Sequence, residues 1–242
     1  MQCWGLSDKG NVRSENQDTY VIRSFGRDRT LLLVCDGMGG AKAGNVASML
    51  AAECFVQTVT QQYRAAKTEE AITAMLHQAL ADANRVVFEK SGEEEFHGMG
   101  TTLVAAYAYR NTAYLLNVGD SRAYLCKEEG ITKITTDHSI VELMVQRGEL
   151  SSEEAKTYPG CNLITRAVGT EETVEGDLYV QPMEKGSCLL LCSDGLSGEM
   201  ADQEILFEVL HGGAHGDCCQ RLLNVAKNRG APDNVTVILA EF

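Results

Sequence analysis

The sequence predicts an α+β fold in which antiparallel sheets are covered by helix pairs. Two observations lead there. Short apolar runs recur along the chain, at about 30–35, 101–109, 188–192 and 235–241, as buried strands do. The order of elements then excludes a regular βαβ alternation. Two long helical patterns follow the second strand in succession, and three strands come next with only short turns between them.

Taken in order, strands are predicted at about 19–23 and 30–35, the second stopping at Asp36-Gly37-Met38-Gly39-Gly40. Segment 43–64 carries a broad apolar stripe through Val46, Met49, Leu50, Val56 and Val59. In 68–90, Ile72, Met75, Leu76, Ala79, Leu80, Ala83 and Val87 keep the three-four spacing of one helical face. Strands follow at about 101–109, 112–118 and 122–126; Tyr114–Tyr124 reads as a hairpin with Val118-Gly119-Asp120-Ser121-Arg122 at its tip. A third helix, 139–147, ends at Gly148, and Ser151 with Glu154 forms a capping-box pattern for a short fourth. After the strand at 188–192, Asp202 and Asp217 read as N-caps of two more helices, the last stopping at Gly230 before the strand at 235–241. There is no repeat and no Pro-rich linker, so residues 1–242 are expected to form a single domain.

Composition narrows the function. A net charge of −13 argues against a nucleic-acid partner and is compatible with cations. No stretch approaches the roughly 18 uninterrupted apolar residues of a membrane span. Met1-Gln2-Cys3-Trp4 lacks the pattern of a signal peptide, so a cytoplasmic protein without membrane attachment is expected. The nine cysteines include no Cys-x-x-Cys pair and several lie in apolar runs, which argues against disulfides and against zinc.

The carboxylates are more informative. Leu31-Leu32-Leu33-Val34-Cys35 delivers Asp36 at a strand end, with Gly37 and two further glycines behind it; Leu189-Leu190-Leu191-Cys192-Ser193 delivers Asp194-Gly195; Pro232-Asp233-Asn234 precedes the strand from Val235. Each alone is ordinary turn chemistry. Three aspartates at the ends of apolar strands suggest a gathered site, where ionised carboxylates repel unless a cation neutralises them. Oxygen ligands without His or Cys select Mg²⁺ or Mn²⁺, and a pair of such ions acidifies water and clamps a phosphoryl oxygen. Arg13, in Gly10 to Asp18, could grip a phosphate through parallel hydrogen bonds, or sit in a polar surface loop. Asp120 alone reads as a turn residue.

In family order, Arg13 with Asn16-Gln17-Asp18, Asp36-Gly37-Met38-Gly39-Gly40, Gly98-Met99-Gly100-Thr101-Thr102, Val118-Gly119-Asp120-Ser121-Arg122, Ser193-Asp194-Gly195 and Pro232-Asp233-Asn234 complete a pattern. The sequence resembles the bacterial branch of the metal-dependent (type 2C, PPM) serine/threonine protein phosphatases, from about residue 4 to the end. The resemblance implies a four-layer α-β-β-α sandwich of two antiparallel sheets flanked by helices. It implies an enzyme that hydrolyses phosphoserine and phosphothreonine in proteins, opposing a eukaryotic-type Ser/Thr kinase and working as a monomer. Two Mn²⁺ or Mg²⁺ ions would activate a bridging water, with Asp36 bridging them and the Gly37 carbonyl, Asp194 and Asp233 completing their ligands. Asp18 would hold metal-bound water, Arg13 would contact the phosphate, and Asp120 would bind a third, weaker ion. The stretch from His138 to Gly169 resembles the family's flap beside the site.

Some positions depart from the pattern. Met38 stands where some members have a proton-donating His, which leaves the leaving-group proton to water at the metal centre. Ala41, Asn45 and Ala231 differ from commoner family choices without removing a ligand. Rival chemistries fail on residues: a haloacid-dehalogenase nucleophile needs a second Asp two positions on, where Met38 and Leu196 stand, and no cysteine begins Cys-x5-Arg. A binding-only relative should have lost one of Asp36, Asp194 and Asp233, and all three are present.

Overall fold

The computed structural model describes residues 1–242, with the side chains of all but Ala41, Lys42, Ser152 and Lys156. The departure at Ala41 therefore lies outside the described side chains.

Two antiparallel sheets lie at the centre. One has the order β1 (Gln2–Asp8), β11 (Val235–Glu241), β10 (Cys188–Cys192), β7 (Arg122–Lys127) and β8 (Gly130–Lys133). The other runs β2 (Asp18–Ser24), β3 (Arg29–Met38), β5 (Leu103–Tyr109), β6 (Thr112–Val118) and β9 (Asp177–Pro182), with the short β4 (Gly100–Thr101) paired to the end of β3. Helices α1 (Gly40–Gln62) and α2 (Glu69–Ser91) follow β3; α3 (Ile140–Gln146) and α4 (Ser152–Thr157) lie between β8 and β9. The short α5 (Asp194–Ser197), α6 (Asp202–His211) and α7 (Cys218–Asn228) separate β10 from β11.

Strand alternation sorts the apolar residues into three cores. Leu31, Leu33 and Cys35 of β3 face Phe55 of α1 and Ile72, Leu76 and Leu80 of α2. Leu190 and Cys192 of β10, with Val237 and Leu239 of β11, face Ile205 of α6 and Leu222 of α7. Between the sheets, Leu32 and Val34 meet Leu189, Leu191, Ile238 and Ala240. The result is the expected four-layer sandwich, and it explains the near-continuous apolar runs: the central strands are buried on both faces. Cys35 and Cys192 belong to the helix-side cores, and burial pushes both thiols up, against forming a nucleophilic thiolate.

Three expectations need correction. Tyr114–Tyr124 is not a hairpin: β6 pairs with β5 and β9, whereas β7 pairs with β10 and β8, so Gly119 to Ser121 carries the chain from one sheet to the other. Inter-sheet crossings and tight hairpins use the same Gly-Asp chemistry. Met49 lies off the buried face of α1, which is built from Ala43, Ala47, Ala51, Phe55 and Val59, small residues at the closest approach. Asp202 is the first residue of α6 and not its cap; Glu204 reaches back to the Ala201 amide at 2.9 Å. Asp217 does occupy the N-cap of α7, without a side-chain capping bond. The Ser151–Glu154 capping box forms as read. Among the described residues no helix is long and apolar enough to cross a membrane.

Candidate active site

The carboxylates gather where strand ends of the two sheets meet. Register places Asp18, the first residue of β2, opposite Asp36 of β3. The Asp36 backbone is clamped from one side: its amide donates to Thr102 Oγ1 at 3.0 Å, and its carbonyl accepts from Thr102 N and Thr101 Oγ1, each at 2.8 Å. Beyond it, Gly37 meets α1 backbone to backbone. A side-chain carbon at Gly37 would collide with the Gly44 carbonyl, which is the close approach the glycine run foretells. From the other sheet, β10 ends at Cys192, Ser193 links it to α5, and Asp194 opens that short helix. Asp233 stands just before β11.

A cleft of about 370 Å³ is lined by Arg13, Asp36, Gly37, Asp120, Asp194 and Asp233, together with Met38 and the flap residues Asn162 and Ile164. Six of the seven residues singled out in the sequence thus share one cavity. The seventh, Asp18, paired in register with Asp36, is buried behind the lining. Its Oδ2 accepts from Ser193 Oγ at 2.7 Å and Thr236 Oγ1 at 2.6 Å.

Asn234 sets the loop that carries Arg13. Its Oδ1 accepts from the Gln17 amide at 2.8 Å, and its Nδ2 donates to the carbonyls of Lys9 and Glu15, each at 2.9 Å. The Arg13 guanidinium then meets Asp233 Oδ2 at 2.6 Å, an ion pair open to solvent on the arginine side. The roles of Ser193, Thr236 and Asn234 were not read from the sequence. The available signal was a polar residue inside an apolar strand, as Thr236 is in Val235-Thr236-Val237-Ile238.

Crowded acid dominates the electrostatics. Burial, then the neighbouring Asp18, Asp194 and Asp120 carboxylates, push Asp36 well above the carboxylate range. Asp194 is raised by burial and by Asp233. Burial raises Asp18 to about 7 against the pull of Thr236 and Ser193, and burial with Asp194 raises Asp120 to about 7. Among the described residues, Asp18 Oδ1 and Asp194 Oδ1 are buried without a hydrogen-bond partner.

These features fit a hard divalent cation: oxygen donors throughout, mutually repelling carboxylates, and orphaned oxygens that a cation would satisfy. Among the described residues no three His, Cys, Asp or Glu side chains already converge on one ion position. Asp233 Oδ2 is engaged by Arg13, a pair that binding of a cation through that oxygen would have to replace.

The protein phosphatase 2C family model matches residues 11–239. The chain belongs to this family. It is 34% identical over 236 residues to the serine/threonine phosphatase stp of Listeria monocytogenes, covering 97% of this chain and 93% of that one. The serine/threonine phosphatase Stp1 of Staphylococcus aureus superposes with a TM-score of 0.90 at 34% identity, covering 100% of this chain and 94% of that one. The catalytic domain of the phosphatase PstP, solved in complex with two manganese ions, gives 0.84 at 34% identity, covering 99% and 97%. This phosphatase is therefore a metal-dependent serine/threonine protein phosphatase with the fold of those relatives.

One consequence concerns pH. With Asp18 and Asp120 raised to about 7 from an ordinary 3.8, the folded metal-free phosphatase binds more protons than the unfolded chain across that interval. The stability these groups contribute is full below their ordinary pKa and is lost as pH rises through about 7. Chelated protein is expected to unfold at lower denaturant at pH 8 than at pH 5.5, and added Mn²⁺ should narrow the gap. Urea titrations at the two pH values, with and without the ion, check it.

Proposed function

We propose that this phosphatase hydrolyses phosphoserine and phosphothreonine in proteins with two Mn²⁺ or Mg²⁺ ions held by Asp36, the Gly37 carbonyl, Asp194 and Asp233. The chemistry such ions supply when bound is activation of a bridging water and neutralisation of charge on the phosphoryl oxygens. The observation that carries the reading is the set of buried carboxylates Asp18, Asp36 and Asp194, each raised by burial and two of them with orphaned oxygens.

The chain's own residues divide the remaining work. Asp36 presents its carboxylate from a backbone that Thr101 and Thr102 hold still. Asp18 is anchored through Oδ2 by Ser193 and Thr236, which leaves Oδ1 to hold water at the centre. Arg13 already binds a carboxylate oxygen in the cleft, so its fork is aimed at the place where a phosphate oxygen would lie once Asp233 turns to a cation. Asp120, which also lines the cleft, is suited to a third, weaker ion. Met38 lines the cleft but has no proton to give the leaving alkoxide. The relatives' names support action on phosphoproteins; with it we propose one catalytic domain over 1–242, monomeric and cytoplasmic, in opposition to a eukaryotic-type Ser/Thr kinase.

Phosphate release from phosphoserine, phosphothreonine and phosphotyrosine peptides, with and without Mn²⁺, tests the reading. Metal-dependent release from the first two is expected; none from either with Mn²⁺ present would overturn it. Arg13 gives a second test. Losing charge-assisted hydrogen bonds costs about 1.5–3 kcal/mol, so Arg13→Ala should lower kcat/KM about tenfold to hundredfold with the ions still bound. Arg13→Lys should fall between the two, and wild-type kinetics in Arg13→Ala would remove Arg13 from the site.

A further inference from the structure

The crossing from β6 to β7, which carries Asp120, is fastened to the flap through one buried side chain. His138 pairs with Gly119 twice. Its backbone amide donates to the Gly119 carbonyl at 2.9 Å, and the Gly119 amide donates to His138 Nδ1 at 3.1 Å. The same Gly119 carbonyl accepts from Asn117 Nδ2 at 3.2 Å. Gly119 has φ +103°, and a side chain there would run into Thr102, the residue that clamps Asp36. On the far side of the ring, Nε2 lies 3.2 Å from Asp177 Oδ2, at the start of β9. Arg166 Nη1 donates to Asp177 Oδ1 at 2.9 Å, and the Thr165 amide donates to the His138 carbonyl at 2.7 Å.

These contacts determine the tautomer. Nδ1 accepts a hydrogen bond, so it carries no proton. Nε2 must therefore bear the ring hydrogen and donate it to Asp177. Arg166 Nη1, 3.3 Å from Nε2, then faces another donor, so its bond is to Asp177 and not to the ring. A second proton on the imidazole would have to displace the Gly119 amide. His138 is 6% exposed, so neither the ring nor the Gly119 amide it accepts from has water as a ready substitute, whereas Asp177 and Arg166 keep one side to solvent.

We infer that His138, as the neutral Nε2–H tautomer, is a positioning residue that couples the Asp120 turn to the flap across Gly119, Asp177 and Arg166. It touches no reacting atom. One ring nitrogen holds the Gly119 amide, next to Asp120, and the other, through Asp177 and its partner Arg166, holds the flap segment that brings Asn162 and Ile164 to the cleft wall. The inference rests on the reading above only in taking Asp120 and the flap as parts of the site.

Two substitutions divide the two nitrogens. Asn carries an acceptor near the place of Nδ1, so His138→Asn keeps the Gly119 bond and loses Asp177; His138→Ala loses both. The probes are amide hydrogen exchange and ring ¹⁵N NMR on the full chain with Mn²⁺, and kcat/KM on a phosphopeptide and on p-nitrophenyl phosphate. In wild type the His138 ring should show the Nε2–H tautomer. In His138→Ala the Gly119 amide should exchange about fivefold to hundredfold faster, as expected for a buried donor left unpaired. In His138→Asn it should stay near wild type while amides of 162–168 exchange faster, as they should in Asp177→Asn. Phosphopeptide kcat/KM should fall in all three variants by more than p-nitrophenyl phosphate kcat/KM does. An Nδ1–H or doubly protonated ring in wild type would overturn the inference. Equal acceleration throughout the chain in Asn and Ala variants would also overturn it, since that is general loosening. Wild type inactive on phosphopeptides would instead sink the functional reading, and the exchange pattern would still decide the role of His138.

Discussion

Asp36→Asn is expected to abolish measurable phosphate release while leaving the protein folded. Asn keeps the shape of Asp36 and one oxygen but removes the charge and one donor atom from a position crowded by the Asp18, Asp194 and Asp120 carboxylates. Even an outer-sphere partner of a metal is worth about tenfold to hundredfold in affinity or activity, so loss of Asp36 as the proposed bridging ligand should exceed that. The fold has little reason to suffer. Asp36 is held through its main-chain amide and carbonyl by Thr101 and Thr102, and these bonds do not involve the side chain. Removing one of several repelling carboxylates should also leave the metal-free variant as stable as metal-free wild type, or more so. Turnover and a thermal melt in chelator measure the two halves. Near wild-type turnover would show that Asp36 is not the bridging ligand. A collapsed melting temperature would show that its carboxylate is structural.

Burial explains which parts of this architecture could be read in advance. β3, β5, β10 and β11 lie inside their sheets with both faces covered, and their apolar runs announce them. The strands missed, β1, β8 and β9, are sheet edges whose residues are mostly half-exposed, so Gln2–Asp8, Gly130–Lys133 and Asp177–Pro182 carry no such run. Which sheet a strand joins is a non-local matter, and nothing between Val118 and Arg122 distinguishes a hairpin from a crossing. At the site the same division holds. Aspartates at strand ends are visible because the apolar run stops at them. Ser193, Thr236, Asn234 and His138 act through partners far along the chain, and a single polar residue does not name its partner. Asn234, for instance, holds Lys9, Glu15 and Gln17 from the other end of the sequence.

The second large effect, and the central claim, is dependence on divalent cations. Carboxylates supply no strong nucleophile toward a phosphate monoester at neutral pH, and the cysteine thiols of the strands behind Asp36 and Asp194 are buried and pushed up. The cleft holds one arginine against four aspartates that line it, Asp36, Asp120, Asp194 and Asp233, so without a cation it would repel a phosphorylated substrate. The decisive measurement is phosphate release from a phosphothreonine peptide by protein dialysed against EDTA, followed by titration with Mn²⁺ or Mg²⁺. This account predicts loss of release to background on dialysis and recovery on adding either ion, with Asp36→Asn failing to recover. Full activity in excess EDTA would contradict it.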